Sequence, residues 1–371
     1  MNDKKIRIAF TGTRGLMSEK NSVIGGFEKF VTKISKILVS NNIEVTVYTP
    51  HYIETPDNLH NIKIKKIFAP ERSFSIIGTI LYDFLSFLDA KRKNFDLIFE
   101  CGYASFFLAI LFNKKNKKPY LAVNMDGLEW KRYNNSIIRR FLLFIEALTI
   151  KLADFIIADH LLIKEYLEKK YKIKPILLSY GSDKPNFYYK NILEKYELKP
   201  KEYFIMVSRP VKENNVEMIF EVFNDTSIKN KFKLVWITNI YTKYAKKIMK
   251  KYKHSSFKFL TITNDMELFS LRHYAKAYIH GHSVGGTNPS LLEAMYSDVP
   301  IISFDSPFNK ITLNGEGCYF TNVNDLKNIL FTIVNNGSVD NCKINGIEKN
   351  QDYSWNLIYE EYIKFITKVV D

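Results

Sequence analysis

The sequence contains few cysteines and lacks a long apolar run. Its 371 residues include three cysteines, Cys101, Cys318 and Cys342, which lie far apart and do not have the spacing of metal ligands. Such scattered cysteines fit free thiols in a reducing compartment better than a disulfide framework. We therefore expect unpaired cysteines and a cytoplasmic protein. No apolar stretch reaches the ~20 residues that a membrane-spanning helix needs. Residues 1–5 lead directly into a strand-like segment, which predicts no export signal.

Several signature motifs are also missing. Neither the glycine spacing of dinucleotide-binding loops nor the lysine-serine pair of a P-loop is present near the first strand. His280 and His282 lack a third ligand at a suitable spacing, which argues against zinc. No nucleic-acid recognition motif accompanies the basic charge. We therefore expect no metal, no cofactor and no nucleic-acid partner.

The composition and length are typical of a globular protein with two domains. Hydrophobic residues make up 46% and charged residues 25% of the chain, as in ordinary soluble proteins. A chain of this length is too long for one typical hydrophobic core. Apolar segments of strand length and helical segments alternate along it. The predicted strands are residues 6–10, 44–48, 62–68, 96–100, 120–124, 155–158, 203–208, 233–238, 257–261, 277–280 and 299–304.

This alternation predicts an α/β protein with parallel sheets and crossover helices. The predicted helices are residues 27–39, 76–91, 137–152, 216–224, 241–252, 266–274 and 355–369. A polar segment near residues 182–200 separates the two series. We expect two Rossmann-like, doubly wound domains facing across a cleft, 1–184 and 185–354. The C-terminal helix, within 355–371, is expected to cross back to the first domain.

The positive charge is concentrated in the first half of the chain. Residues 1–180 contain 29 Lys and Arg against 18 Asp and Glu, and the remainder contains 25 against 21. The cations at 114–118 and 139–140 adjoin bulky apolar segments, 106–112 and 141–145. This pattern favours an anionic membrane surface as a partner of the first domain. Helices packed on a sheet, with lysines at their solvated ends, would give the same pattern.

Residues 280–295 are the most informative stretch of the sequence. An apolar strand leads into a polar turn with Gly285 and Gly286, and Pro289 is favoured at the first position of a helix. Backbone amides at such a turn are suited to phosphate. Glu293 follows one turn later, where a carboxylate can bind sugar hydroxyls. The stretch predicts a nucleotide pocket, and its candidate residues are His282, Gly285, Gly286, Thr287, Asn288, Ser290 and Glu293. An ordinary strand-to-helix connection is the alternative.

Other candidates follow strands of both halves. Gly12 and the pair Gly25-Gly26 would let phosphate approach the backbone, although a plain turn explains them equally well. Asp126 follows the fifth strand, where a carboxylate can activate or orient a hydroxyl, or can serve as a turn residue. Arg209 and Lys212 follow the first strand of the second half and can neutralise a diphosphate leaving group, or form a solvated loop.

These stretches together resemble a known family. The chain is similar to the two-domain, metal-independent retaining glycosyltransferases of the GT-B fold in the large family four, and more closely to the bacterial rhamnosyltransferases of cell-wall and capsule assembly. The matching stretches are residues 12–15, 25–28, 126–132, 213–215 and 281–294.

The resemblance implies the reaction and the roles of residues. A sugar nucleotide, dTDP-L-rhamnose in this subgroup, would bind mainly to the second domain, with Glu293 on its ribose and Arg209 and Lys212 on its diphosphate. The acceptor, a polyprenyl-diphosphate-linked saccharide, would bind to the first domain. The implied acceptor residues are Arg14, Glu129, Trp130, Lys131 and Arg132, and the implied catalytic residues are Asp126, Arg209 and Glu213.

The sequence departs from the broader family at two positions. The family has an acidic residue eight positions before Glu293, where this chain has Gly285. A 6-deoxy sugar would need no partner there. The family also pairs its arginine with a lysine five residues later, where this chain has Asn214. Lys212 or Arg14 would supply the missing charge.

Three other functions are compatible with the sequence. The same fold serves transferases that use a UDP-hexose or UDP-N-acetylhexosamine donor. A sugar-nucleotide epimerase would share the architecture but needs no acceptor site. A non-catalytic, membrane-associated binding protein would also explain the basic first half.

Overall fold

The computed structural model describes residues 5–17, 25–55, 58–70, 76–337, 340–344 and 353–370. The chain forms two compact units. Unit 1 contains residues 1–180 and the C-terminal residues 355–371, and unit 2 contains residues 181–354. Each unit is an α/β structure around its own sheet.

Unit 1 is built on an eight-stranded sheet with the order β3-β4-β2-β1-β5-β6-β7-β8. All neighbouring strands are parallel except β3 and β4. The strands are β1 (Arg7–Thr11), β2 (Glu44–Pro50), β3 (Asn58–Leu59), β4 (Ile62–Ile67), β5 (Leu97–Cys101), β6 (Tyr120–Asn124), β7 (Phe155–Ala158) and β8 (Ile176–Leu177). The central strands are buried on both faces, as parallel sheets covered by helices are.

The helices of unit 1 connect these strands. They are α1 (Gly26–Ser40), α2 (Ile76–Lys91), α3 (Phe107–Ile110), α4 (Ser136–Leu152), α5 (Leu161–Tyr171) and α14 (Trp355–Val370), with a short 3-10 helix, Glu129–Arg132. Helix α14 packs on α1, where Phe30 contacts Trp355 and Tyr362. The Tyr362 hydroxyl also donates to the Leu178 carbonyl at 3.2 Å. The last helix of the chain therefore completes the core of the first unit.

Unit 2 is built on a six-stranded parallel sheet with the order β11-β10-β9-β12-β13-β14. The strands are β9 (Tyr203–Val207), β10 (Lys233–Ile237), β11 (Phe257–Leu260), β12 (Tyr278–His280), β13 (Ile301–Phe304) and β14 (Cys318–Phe320). Its helices are α6 (Ile192–Lys195), α7 (Val216–Phe223), α8 (Thr226–Lys229), α9 (Lys243–Lys251), α10 (Asp265–Tyr274), α11 (Pro289–Met295), α12 (Pro307–Thr312) and α13 (Val323–Asn336), and its 3-10 helices are Lys212–Asn214 and Asp340–Cys342.

The predicted fold class of two parallel α/β domains is confirmed. Helix α11 begins at Pro289, and α10 and α14 lie within one residue of their predicted limits. The expectation of three free thiols is wrong, because Cys318 and Cys342 form a disulfide in unit 2. Only Cys101 is free, and it is buried. The two bridged cysteines are 24 residues apart in sequence, so no local spacing indicates the pair.

No helix among the described residues is both long enough and apolar enough to cross a membrane.

Candidate functional site

The main candidate site of unit 2 lies where its strand order reverses. The first strand of this unit, β9, is adjacent to its fourth strand, β12, and crossover connections lead away from them in opposite directions. Open α/β sheets bind ligands at this point, beyond the carboxyl ends of the strands. Residues 208–215 follow β9 and residues 281–288 follow β12, so the two predicted motifs occupy this position.

Hydrogen bonds hold these two loops together. Ser283 donates to the Glu213 carbonyl from its backbone amide at 3.0 Å and from its hydroxyl at 2.8 Å. The Asn215 side chain donates to the Gly281 carbonyl at 2.8 Å. A Cβ at Gly281 would collide with the Asn214 carbonyl, so this approach requires glycine. Glu213 therefore contributes a backbone carbonyl to the loop structure, while its side chain is partly exposed.

The two basic residues of the first loop, Arg209 and Lys212, are exposed, whereas Asn214 in the same loop is buried. Neither basic side chain forms an ion pair with a described residue. Asn214 is fully buried, and its amide donates to the Arg209 carbonyl at 2.8 Å. The residue at the family's lysine position therefore shapes the turn that carries Arg209. It leaves the positive charge of the loop to Arg209 and Lys212.

The second loop combines a glycine conformation with a capped helix. Gly285 has a φ of +152°, and a Cβ there would meet no atom of a described residue within 4 Å, so the space for a side chain is open. Asn288 is the N-cap of α11, and its Oδ1 accepts from the Ser290 amide at 3.0 Å and hydroxyl at 2.9 Å. Helix α11 has seven residues. Gly286 is partly exposed and Thr287 is buried in the same turn.

Two histidines stack beneath this loop. The rings of His280 and His282 lie 4.5 Å apart and are inclined by 11°. Burial, followed by the charge of Arg272, lowers the pKa of His280 to about 3, so its imidazole is neutral at physiological pH. The Tyr278 hydroxyl lies 3.3 Å from its Nδ1, whereas His280 Nε2 has no partner among the described residues.

Glu293 lies in a buried ion pair that the sequence did not predict. Its Oε2 is 2.6 Å from Nη2 of Arg272, on α10, and the two side chains are 6% and 0% exposed. No local pattern marks Arg272, because the contact joins two helices. The predicted ribose-binding carboxylate is therefore held by a cation from the core.

The glycines of unit 1 lie at the equivalent reversal of its sheet, between β1 and β5. Gly12 follows β1, and a Cβ there would collide with Glu100 Oε1 at the end of β5. Gly25 is the N-cap of α1 and Gly26 its first residue, as the sequence predicts. The backbone amide of Arg14 donates to Glu28 Oε1 at 3.0 Å. The loop after β1 is therefore bound to α1.

Two buried carboxyl groups, Asp83 and Glu100, lie at this edge. Burial raises the pKa of Asp83 to about 7, while Ser105 and Arg14 lower it. Burial and the neighbouring Asp83 raise the pKa of Glu100 well above its usual range, against a hydrogen bond from Thr11. The sequence did not predict Glu100 as a site residue, although an acidic side chain near the end of the apolar strand β5 was a signal for it.

Asp126 follows β6 in a constrained turn. Its φ is +45°, a left-handed conformation that aspartate adopts infrequently. The Asn124 side chain accepts a hydrogen bond from its backbone amide at 2.9 Å. Asp126 is partly exposed. Burial raises the pKa values of Tyr103 and Tyr180, and carboxylates that include Asp126 add to both shifts. The turn therefore presents a partly exposed carboxylate at the end of β6.

Four of the five predicted acceptor residues form the 3-10 helix Glu129–Arg132, whereas the fifth, Arg14, lies in the loop after β1. Glu129 Oε1 accepts from Arg132 Nη1 at 2.8 Å. The Trp130 ring has the Arg139 guanidinium 5.3 Å from its centroid and the Lys131 ammonium at 5.6 Å. These cation-π contacts place positive charge around an aromatic ring.

An exposed apolar face continues from this group over α2, α3 and α4. On α4, Ile137, Phe141 and Phe144 are spaced by four and three residues, so they share one face, and Phe144 is 63% exposed. Ring contacts join Phe141 to Phe107 and Phe112 to Phe84. The exposed basic residues around it are Lys114, Lys115, Lys117, Arg139 and Arg140. Large apolar patches of this kind mark interaction surfaces.

Two family models match consecutive parts of the chain. Residues 6–183 match a domain of unknown function, DUF1972. Residues 170–335 match glycosyl transferases group 1. The second match contains both loops of the unit 2 site together with Arg272 and Glu293. No curated protein matches the sequence.

Solved structures resemble the chain along almost its whole length. Sucrose-phosphate synthase from Thermosynechococcus elongatus has a TM-score of 0.77 at 14% identity, with 98% of this chain and 99% of that chain covered. HepE from Anabaena, in complex with UDP-glucose, has a TM-score of 0.70 at 12% identity, covering 98% and 100%. A glycosyltransferase from Rickettsia africae has a TM-score of 0.64 at 14% identity, covering 99% of each chain.

At these identities the structures show the fold alone: two Rossmann-like α/β units, as in the GT-B glycosyltransferases. The match of residues 170–335 to glycosyl transferases group 1 covers less than half of the chain.

Proposed function

We propose that the protein is a retaining rhamnosyltransferase. It transfers L-rhamnose from dTDP-L-rhamnose to a saccharide on a polyprenyl-diphosphate carrier, at the inner face of the cell membrane, in surface polysaccharide synthesis. The bond from the anomeric carbon to the diphosphate breaks, and a bond to the acceptor hydroxyl oxygen forms on the same face of the sugar. The hydroxyl proton passes to the departing diphosphate.

The observation that carries the proposal is the pair of interlocked loops after β9 and β12. Arg209 and Lys212 are exposed there without ion-pair partners among the described residues, so their charge is available to a diphosphate. Two cations at the leaving group stabilise the charge that develops as the glycosidic bond breaks. We expect them to perform this task without a divalent metal, and activity should persist in excess chelator.

The assignment of rhamnose is supported by Gly285. The broader family has a carboxylate where this chain has a glycine with open space around it. A carboxylate at this position would be desolvated beside the apolar methyl group of a 6-deoxy sugar. Glycine avoids that cost. UDP-glucose, which the Anabaena structure contains, is the donor of the alternative function that the comparison favours.

The acceptor is assigned to unit 1. Asp126 orients the attacking hydroxyl, and the cations around Trp130 bind the carrier diphosphate. The apolar face of α2, α3 and α4, surrounded by lysine and arginine, binds the anionic membrane in which the carrier resides. Each lysine near such a surface contributes roughly 1 kcal/mol of binding free energy.

The test is a transfer assay with defined substrates. Purified protein is incubated with dTDP-rhamnose, UDP-glucose or UDP-N-acetylglucosamine and a synthetic lipid-diphosphate monosaccharide, and products are analysed by mass spectrometry. We expect a rhamnosyl product with retained anomeric configuration. If the protein transfers sugar only from a UDP-sugar, the proposed donor is wrong. Isomerisation of the donor without transfer would indicate an epimerase.

Variants link the product to the site. Arg209→Ala removes an exposed cation without disturbing a packed contact, and we expect a loss of roughly 100-fold or more in transfer rate. Lys253→Ala, which removes another exposed cation of unit 2, is the matched control and should leave the rate unchanged. Equal rates in both variants would exclude Arg209 from the reaction.

A further inference from the structure

Arg272 is a fully buried cation in unit 2. It lies near the end of α10, 0% exposed, with its guanidinium 5.8 Å and 5.9 Å from the rings of Phe269 and Tyr278. Removing such a charge from water costs several kcal/mol, which an opposite charge close to it must offset. Glu293 is that partner, at 2.6 Å. Replacing a buried pair by apolar residues is often neutral or stabilising, so stability alone does not explain why the pair is present.

The ion pair is connected to the loop that carries the donor candidates. Helix α10 packs on α11, and Glu293 is the fifth residue of α11. The Tyr278 ring is close to Arg272, and its hydroxyl donates to Ser290 Oγ at 3.0 Å. The Ser290 hydroxyl oxygen lies 3.2 Å from the Val207 carbonyl oxygen, at the end of β9. The same network therefore orients Glu293, the start of α11 and the end of β9.

We propose that Arg272 is a positioning residue of the donor site, which fixes the Glu293 carboxylate for the hydroxyl groups of the nucleoside sugar. Arg272 does not touch the donor, because it is completely buried. It holds Oε2 of Glu293, so the side chain has one orientation. The proposal rests on the proposed function, which assigns the nucleoside sugar to Glu293.

Arginine is suited to this task in a way that lysine is not. Its planar, rigid guanidinium remains charged when buried and restricts where the paired carboxylate can lie. A lysine would supply the charge on a flexible stem, without the same restriction. We therefore expect Arg272→Lys to recover part of the function that Arg272→Gln loses.

Calorimetry with three probes tests the proposal: thymidine diphosphate, uridine diphosphate and inorganic pyrophosphate. We expect Arg272→Gln to weaken binding of both nucleotides by roughly 10- to 100-fold, the range for hydrogen bonds to charged groups. Binding of pyrophosphate should be unchanged, because it has no nucleoside sugar. Unchanged nucleotide affinity, or an equal loss for pyrophosphate, would overturn the proposal.

A double-mutant cycle shows whether Arg272 acts through Glu293. Glu293→Gln alone should weaken nucleotide binding as Arg272→Gln does, and the double variant should lose no more than the larger single loss. Independent, additive losses would contradict a positioning role. In transfer assays, Arg272→Gln should raise the donor KM much more than it lowers kcat, whereas partial unfolding would lower the active fraction without raising KM.

Failure of this proposal can be distinguished from failure of the proposed function. A wild-type protein that binds neither nucleotide would refute both. Normal wild-type binding that is sensitive to Glu293→Gln but insensitive to Arg272→Gln would refute the positioning role alone. If nucleotide affinity is sensitive to neither substitution, Glu293 does not bind the nucleoside sugar. This result would also overturn the positioning role of Arg272.

Two further variants separate positioning from folding. Arg272→Met/Glu293→Met replaces the pair by apolar side chains, and we expect it to fold while losing the preference for nucleotide over pyrophosphate. Lys201→Met is the control, because Lys201 donates to the carbonyls of His273 and Ala275 at the end of the same helix. It should lower the melting temperature and leave nucleotide affinity unchanged. A wild-type nucleotide preference in the double-methionine variant would contradict the proposal.

Discussion

At the scale of single residues, the structure combines buried ionisable groups with exposed cations. Asp83, Glu100, His280 and Arg272 are buried, whereas Arg209 and Lys212 are exposed. Ionising a buried carboxyl or imidazole carries a desolvation cost, so these groups change the dependence of stability on pH. Their effects can be measured separately in the two units, since Trp236 is in unit 2 and the other tryptophans, Trp130 and Trp355, are in unit 1.

Asp83→Asn should remove a loss of stability that occurs as the pH rises. Burial raises the folded-state pKa of Asp83 to about 7, above its unfolded value. From about pH 4 to pH 7 the folded state retains a proton that the unfolded state has released, so the free energy of unfolding of unit 1 falls by roughly 1 kcal/mol per pH unit. Above pH 7 this contribution is constant.

The measurement is urea unfolding of unit 1 by fluorescence in a Trp236→Phe background. The difference between Asp83→Asn and the parent should grow between pH 5 and 7. Asp89→Asn, which removes the acceptor of the Tyr48 hydroxyl, is the control and should show no such trend. A constant difference for Asp83→Asn across this range would refute the assignment.

The contribution of His280 to the pH dependence of the free energy of unfolding should have the opposite sign. Its folded-state pKa is lowered to about 3, so below about pH 6.5 only the unfolded state takes up the proton. The free energy of unfolding of unit 2 should fall by roughly 1 kcal/mol per pH unit as the pH decreases from 6 to 4. His280→Asn should remove this slope.

Fluorescence of Trp236 in a Trp130→Phe/Trp355→Phe background measures this effect. His254→Asn, at an exposed position of the same unit, is the control. Slopes that are identical for wild type and His280→Asn would show that His280 is protonated in the folded state.

Local sequence could predict which loops carry polar candidates, but it could not predict their partners. Arg209, Lys212 and Asn288 follow strands and precede helices, so their places could be inferred. The contact of Arg272 with Glu293 joins two helices, and that of Gly12 with Glu100 joins two strands. Such contacts depend on packing between elements, which periodicity does not encode.

At the scale of elements, a disulfide and an apolar helix face are the main additions to the expected fold. The bridge joins β14 to the 3-10 helix Asp340–Cys342, two short elements that apolar periodicity did not indicate. The strands β3 and β8, of two residues each, were also not predicted. Elements this short contain too few residues to show a period.

Cys342→Ser should destabilise unit 2. A disulfide that closes a loop of 24 residues is expected to stabilise the folded state by about 3 kcal/mol, because it lowers the conformational entropy of the unfolded chain. Thermal unfolding with and without a reductant measures this contribution. The wild type should melt lower when reduced, and Cys342→Ser should not respond. Cys101→Ser, in unit 1, should keep the wild-type response, and a reductant effect that persists in Cys342→Ser would contradict the prediction.

The apolar face of α4 should bind anionic membranes. Phe141→Ser/Phe144→Ser removes exposed apolar area, and Lys114→Glu/Lys115→Glu/Lys117→Glu reverses the adjacent charge. Both sets of substitutions should reduce sedimentation with liposomes that contain anionic lipid. The effect of the charge reversal should be strongest at low salt. Lys246→Glu/Lys250→Glu, on α9 of unit 2, is the control. Equal sedimentation of all variants would exclude this face as the membrane contact.

At the scale of the whole molecule, function follows from two sheets of similar order. Each places its glycine-containing loops beside the strand at which the order reverses. The sequence was sufficient for this architecture, because alternating strands and helices leave few other arrangements of a parallel sheet. Donor specificity depends on the space that Gly285 leaves beside the bound sugar, which local periodicity does not describe.

The central claim is that the unit 2 loops bind the nucleotide diphosphate of the donor. Hydrogen-deuterium exchange with and without thymidine or uridine diphosphate tests it most directly. We predict slower exchange in residues 208–215 and 281–290 of the wild type, much reduced in Arg209→Ala and retained in Lys253→Ala. Nucleotide binding that leaves exchange in both loops unchanged would contradict the account.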